Sequence, residues 1–377
     1  MTYPEYFEQF CQRYQPYKQG AWCYEDGCIY RGLMLLYRSS GERRWLDHLV
    51  RLVSRQVGAD GELLGYDPRE YNIDNILPGR VLLFLAEETK DPRYMAAAGR
   101  LIDQLDHHPR VLSGNYWHKA RYPHQIWLDG LYMALPFQVE YALATGDRSR
   151  ISDALQQLAT ALVLTSTYGG LHVHGYDESR HQAWADRQTG KSPAVWARAM
   201  GWMVMALVDV LAILPNDRAT VALRTRTRSI LLAVLDRQQQ SGLWPQVLDA
   251  PELAGNYAET SASAMFAYAF LAAGRLGSLA PEEARRLEES ARRTLDTILT
   301  TRLVKEDGVV RLAGICQVAG LGALSGPYRD GTPAYYLTEP VVADDAKGVG
   351  PLMMAVAELG LCAAAEGDRA LVASLNR

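Results

Sequence analysis

The sequence predicts an all-α fold, a closed (α/α)6 six-hairpin barrel or toroid. Three observations carry that expectation. Apolar residues recur at helical spacing along most of the 377 residues, and β-branched alternation is scarce. Six tight polar turns of similar composition punctuate the chain. The helices flanking each turn differ, the first apolar nearly all round and the second charged on one face, as inner and outer layers require.

The apolar helices start near Gly27, Asn75, Trp127, Trp196, Thr260 and Gly348. They run into turns at Gly41–Arg44, Lys90–Arg93, Gly146–Ser149, Asn216–Ala219, Ala280–Glu283 and Glu366–Arg369. Asp, Asn, Ser and Pro in these turns are N-cap and N1 residues for the helix that follows. Charged second helices, such as Arg44–Val57, Arg93–Asp106, Arg148–Leu164 and Pro281–Leu299, belong on the outside. Starts spaced about 50 to 90 residues apart mark one helix-turn-helix unit repeated six times. The sixth unit has almost no chain left for its outer helix, and an N-terminal helix over about Tyr3–Tyr17 fills that place. Residues 1–377 are then expected to form one catalytic domain.

Composition excludes several classes. Hydrophobic residues make up 48% and charged residues 22%, as in ordinary globular chains. A formal net charge of −4, without a Lys/Arg run, gives no argument for nucleic acid or a membrane surface. No 18-residue apolar span is expected. Met1–Glu8 has neither the basic nor the apolar region of a secretory signal. Five scattered cysteines without a C-x-x-C pair argue against structural zinc or a disulfide framework, so a cytoplasmic location is expected. No metal and no cofactor are expected, and the chain is expected to be a monomer or homodimer.

The repeat places the chemistry at one mouth of the barrel, where the six lead-ins gather. Asp26, Asp74, His118, Asp129, His174, Arg198, Glu259 and Asp345 lie in or just after them. So do Trp22, Trp117, Trp127, Trp184, Trp196, Trp202 and Trp244, leaving only Trp45 on an outer helix. An acidic cleft lined with indole rings suits carbohydrate, because flat rings stack on sugar C–H faces.

The segment Trp117–Ala134 is the densest part of this mouth. Asp129 there precedes the apolar run Leu131–Leu135, and a carboxylate beside a core is costly unless paired or used. Ile126-Trp127-Leu128 already reads as helical, which makes Asp129 a poor helix cap. Asp74 reads either as an N-cap or as the second carboxylate of an acid/base pair. The H-x-H of His172 and His174 allows metal ligation, substrate contact or a plain loop. Arg198 meets either an aspartate on an inner helix or a substrate carboxylate. His118, Lys119 and Arg121 form a basic loop, solvated or facing an acidic sugar. The glycine-rich stretches Leu321–Tyr328 and Ala346–Gly350 do not fit a phosphate loop.

In this order, the motifs resemble glycoside hydrolase family 105, the unsaturated rhamnogalacturonyl hydrolases, along nearly the full chain. They are Trp22–Gly27, Ile73–Asn75, Trp117–Lys119, Ile126–Ala134, His174–Asp177, Trp196–Arg198, Gly242–Asp249, Glu259–Ser261, Tyr335–Leu337 and Asp344–Gly350. The resemblance implies an (α/α)6 barrel that removes a 4,5-unsaturated galacturonyl group from the non-reducing end of an oligosaccharide. It implies hydration of the C4–C5 double bond, with Asp129 as general acid/base and Asp74 as a second catalytic residue that holds the sugar and helps fix the proton on Asp129. His118, Lys119, His174, Trp196 and Arg198 would form the sugar and carboxylate pocket. Trp22, Tyr24 and Trp244 would add walls, with Trp202 beside them. The family commonly reads Arg-Gly-Asn-Gly-Trp where this chain has Arg198-Ala199-Met200-Gly201-Trp202, a change expected to narrow or dry the pocket. The partner is an unsaturated uronic-acid oligosaccharide. Rival readings are a glucuronyl hydrolase acting on glycosaminoglycan fragments, a sugar epimerase, and a carbohydrate-binding toroid without catalysis.

Overall fold

The computed structural model describes residues 1–323 and 326–375. Helices come in antiparallel pairs. After α1 (Tyr3–Arg13), the pairs are α2 (Tyr24–Ser40) with α3 (Arg43–Val53), and α4 (Gly79–Thr89) with α5 (Pro92–His107). The next are α6 (Leu128–Thr145) with α7 (Arg148–Leu164), α8 (Ala197–Ile213) with α9 (Val221–Leu235), and α10 (Thr260–Ala273) with α11 (Pro281–Thr301). A single-turn α12 (Pro333–Tyr336) and the long α13 (Ala346–Leu375) complete the chain.

The first helix of each pair packs against the next around a ring, α2 to α4, α6, α8, α10 and α13, and α13 packs back on α2. The closure is tight because glycine lines it: a methyl group at Gly32 would stand 2.7 Å from Met353 Cβ. Helix α1 takes the sixth outer place, as the sequence implies. Its Glu8 meets His48 of α3 at 3.2 Å, and its Tyr6 hydroxyl donates to Asp344 at 2.6 Å. Capping follows the turn chemistry. Thr2 and Glu5 form a capping box on α1, and Asp91 and Asp147 cap α5 and α7.

Three expectations need correction. The second inner helix begins at Gly79, not near Asn75, because Ile73–Ile76 is a 3-10 turn and Pro78 interrupts it. Glu366–Arg369 is not a turn: α13 runs through it, since α1 already fills the outer place and no reversal is required. An apolar span does exist, Ala346–Ala363, with mean hydropathy 1.3. It belongs to an inner helix enclosed by neighbours, and 67% of it is buried, which is what an all-round apolar surface serves here. Leu324 and Ser325 of the glycine-rich stretch lie outside the described residues.

Short two-stranded ribbons tie the lead-ins together at the mouth. These are β1 (Gln125–Trp127) with β2 (Gly175–Asp177), and β3 (Trp244–Pro245) with β4 (Ala258–Glu259). The others are β5 (Leu303–Glu306) with β6 (Val309–Leu312), and β7 (Ile315–Cys316) with β8 (Val341–Val342). All four are antiparallel.

Candidate active site

Asp129 is placed by a strand, not by the helical run the sequence suggests. Gln125–Trp127 is extended and pairs with Gly175–Asp177, with Trp127 opposite Gly175. Leu128 N–H then donates to His174 O at 3.0 Å, and α6 starts. The backbone runs close to its neighbours there: a Cβ at Gly175 would stand 2.6 Å from Leu321 Cδ1 and 3.2 Å from Trp127 Cδ1. Asp129 thus occupies the first turn of α6, where free N–H groups and the helix dipole favour negative charge. Its side chain is 16% exposed, and Oδ2 lies 3.1 Å from His174 Nε2. His174 is fully buried, with Nδ1 2.8 Å from the Tyr336 hydroxyl.

Asp74 does not cap its turn. Asn72 does so, accepting from Asp74 N–H at 3.2 Å, and the Asp74 carboxylate is left to face the cleft. Lys119 Nζ stands 2.5 Å from Asp74 Oδ2, and His118 Nε2 is 3.8 Å from Oδ1. Burial works to raise the Asp74 carboxyl, but Lys119, His118 and Lys18 outweigh it and hold it below its ordinary value. Burial pushes His118 down to about 3, against the pull of Asp74, so its imidazole is neutral at pH 7. His118 Nδ1 is buried with no hydrogen-bond partner among the described residues.

Aromatic rings make the walls. His118 and Tyr122 both stack on Trp127, at 4.3 Å and 4.7 Å, and lie 6.1 Å from each other. Trp22, whose Nε1 donates to Asn75 O at 2.8 Å, and Tyr24 line the cavity as well. The cavity measures about 480 Å3, the size of an ordinary small-molecule site, and contains Asp74, Lys119 and Asp129 on its surface.

The structure therefore brings together Trp22, Tyr24, Asp74, His118, Lys119 and Asp129. His174 stands directly behind Asp129, and Trp196 behind His174, ring centroids 4.9 Å apart. Trp196 also stacks on Tyr336 at 5.7 Å. Arg198 is not free for a substrate. Its Nε donates to Ser261 at 2.8 Å, its guanidinium donates to the Cys316 carbonyl, and Glu259 lies 3.5 Å away. The acid it meets is Glu259 of β4, just before α10, and not the inner-helix aspartate that the sequence suggests. Trp202 and Trp244 belong to the core. Trp202 stacks on Tyr132 at 5.1 Å, while Trp244 donates to Val234 O and packs on Phe266. Ala199 and Met200 are fully buried, Met200 sulfur accepting from His172 N–H at 3.3 Å, so they neither narrow nor dry the cavity. His172 Nδ1 meets Thr165 Oγ1 at 3.0 Å, so it and His174 do not converge on one point.

Sequence reasoning missed Tyr336 as the support of His174, and Lys18, Glu25, Tyr122 and Arg329 as lining residues. Tyr122 lies inside the segment already singled out. Arg329 lies in an irregular stretch between β7 and α12, where no periodicity marks a facing direction.

Comparison with known proteins decides the family. The profile of Glycosyl Hydrolase Family 88 matches residues 5–361. This chain belongs to that family. The family 88 chain is 38% identical to a glycoside hydrolase from family 105 of C. acetobutylicum, with a TM-score of 0.84. That match covers 90% of this chain and 93% of the other. It accords with the family 105 motifs read from the sequence. This family 88 member is also 63% identical over 227 residues to Protein Atu3128 of Agrobacterium fabrum, 60% of this chain and 97% of that protein. It is 26% identical over 264 residues to the unsaturated rhamnogalacturonyl hydrolase YesR of Bacillus subtilis, 68% of this chain and 72% of YesR.

Proposed function

We propose that this glycosidase removes a 4,5-unsaturated galacturonyl residue from the non-reducing end of rhamnogalacturonan-derived oligosaccharides, with Asp129 as general acid/base. The observation that carries the reading is the chain Tyr336–His174–Asp129, ending in a cavity whose other carboxylate, Asp74, is ion-paired to Lys119. The likeness to YesR supports the choice of sugar.

The double bond is a vinyl ether, so the ring-oxygen lone pair makes C4 the basic carbon. Asp129 delivers its proton to C4, and positive charge develops at C5 and the ring oxygen. Water adds to C5 while the Asp129 carboxylate takes its proton, which restores the base for the next cycle. The hemiketal at C5 opens to a ketone, and the hemiacetal left at C1 expels the aglycone alcohol. A two-carboxylate glycosidase mechanism is disfavoured, because Asp74 is committed to Lys119. With Tyr336 donating to Nδ1, His174 Nε2–H points at Asp129 Oδ2 and leaves Oδ1 to carry the proton. Burial raises the Tyr336 hydroxyl well above its ordinary value, so it remains a donor at working pH.

The proposal includes a cytoplasmic location, supported by five scattered cysteines without a C-x-x-C pair in the sequence, and residues 1–377 acting as one catalytic unit, supported by the closed helix ring. The test is to follow loss of the conjugated double-bond absorbance with two disaccharides, unsaturated galacturonyl-rhamnose and an unsaturated glucuronyl glycosaminoglycan fragment. The galacturonyl substrate should be consumed faster by wild type and not at all by Asp129→Asn. Equal turnover by that variant, or preference for the glucuronyl fragment, overturns the assignment.

A further inference from the structure

The cavity around Asp129 does not end at Asp129. A second depression of about 690 Å3 adjoins it and shares Arg121, Tyr122, Val318 and Arg329 with it. Asp74 and Asp129 line only the first lobe, which leaves the second open to the rest of a sugar chain whose reacting ring sits beside Asp129.

Two cations stand at the junction, and neither has an ion-pair partner among the described residues. Arg329 Nε donates to Gly322 O at 3.0 Å, and one terminal nitrogen donates to the Tyr122 hydroxyl at 3.0 Å. Both acceptors are neutral. They fix the plane of the guanidinium and leave its charge uncompensated. Arg121 lies over the Tyr122 ring, 5.2 Å from its centroid. Among the described residues the second lobe holds one acid, Glu339, which accepts from the Tyr335 hydroxyl at 2.5 Å. Tyr328 and Tyr335 give that lobe flat apolar surface of the kind that stacks on pyranose rings. An oriented guanidinium without an acid, at the join of two ring-lined lobes, is matched by a carboxylate carried on a sugar.

We propose that Arg329, with Arg121, binds the carboxylate of a second uronate in the leaving oligosaccharide. The preferred substrate is then a trisaccharide or longer, acidic at both its reacting end and its leaving portion. This rests on the unsaturated uronyl hydrolase reading above.

The experiment compares kcat/KM on three substrates: the unsaturated galacturonyl-rhamnose disaccharide, a longer fragment with a second uronate, and that fragment methyl-esterified at the second uronate. Wild type should favour the free acid over its ester by about tenfold, the worth of one charge-assisted hydrogen bond. Arg329→Gln should bring the acid-to-ester ratio close to one, and Arg329→Lys should retain most of it. A wild-type ratio near one, or a ratio unchanged in Arg329→Gln, overturns the proposal. So does a loss in Arg329→Gln that is equal on all three substrates, because Arg329 would then be serving the reacting uronate itself. Failure of wild type to consume any of the three instead overturns the hydrolase reading on which the proposal rests.

Discussion

His174 Nε2 stands 3.1 Å from Asp129 Oδ2, and the imidazole is held from behind by the Tyr336 hydroxyl. The three residues come from three separate lead-ins; the pairing of β1 with β2 joins those of Asp129 and His174, and Tyr336 reaches them through its hydroxyl. A buried imidazole with both nitrogens engaged cannot rotate freely. It fixes which oxygen of Asp129 faces the cavity.

Tyr336→Phe removes the rear support and leaves a buried ring nitrogen without a partner. We expect kcat/KM to fall about tenfold, corresponding to about 1–2 kcal/mol of lost positioning. Secondary structure by circular dichroism should be unchanged. A variant as fast as wild type would show that the hydroxyl plays no part in setting Asp129.

Lys119→Met leaves the buried Asp74 carboxylate without its cation. Removing one member of a buried pair costs about 3 kcal/mol or more, and this pair is only 12% and 9% exposed. The double variant with Asp74→Asn should recover most of that loss in urea unfolding, because no stranded charge remains. Simple addition of the two single effects would mean that Lys119 and Asp74 are not coupled.

The ring of inner helices was legible because each is apolar nearly all round and the first five end at polar turns. Asp129, Asp74, His118 and Lys119 were legible because charge beside a core needs a use. Their local geometry was not. Ile126-Trp127-Leu128 has the apolar content of a helix, yet pairing with Gly175 makes Gln125–Trp127 a strand, a contact nearly 50 residues away. Trp202 and Trp244 are indistinguishable from cleft tryptophans by position alone. What separates them is rotation about the helix or ribbon axis, and it turns both rings into the core. Arg329 was hidden because an irregular stretch carries no period from which a facing direction can be read.

Stability should fall as the solution is acidified below neutrality. Burial holds His108 and His172 down to about 4 and His118 down to about 3, from 6.5. Between those values and 6.5 the unfolded chain binds protons that the folded chain refuses. Stability is then fully present above about pH 6.5 and is lost on acidification at up to about 1.4 kcal/mol per pH unit for each histidine. Asp74, held low, adds a loss of the same sign as pH falls below about 4. His108 touches Gln104 and the Trp117 carbonyl and does not line the cavity. His108→Gln should reduce the slope of unfolding free energy between pH 6.5 and 5 by about a third. An unchanged slope contradicts a neutral, buried His108.

The central claim, proton delivery from Asp129 to C4 of the double bond, is tested most directly by turnover in deuterium oxide with NMR of the released uronate. The account predicts one deuteron on a single face of C4 with wild type, and no product with Asp129→Asn. Deuterium scattered over both faces of C4 would contradict it, because that pattern arises when the glycosidic bond breaks first and the free sugar ketonises in solution.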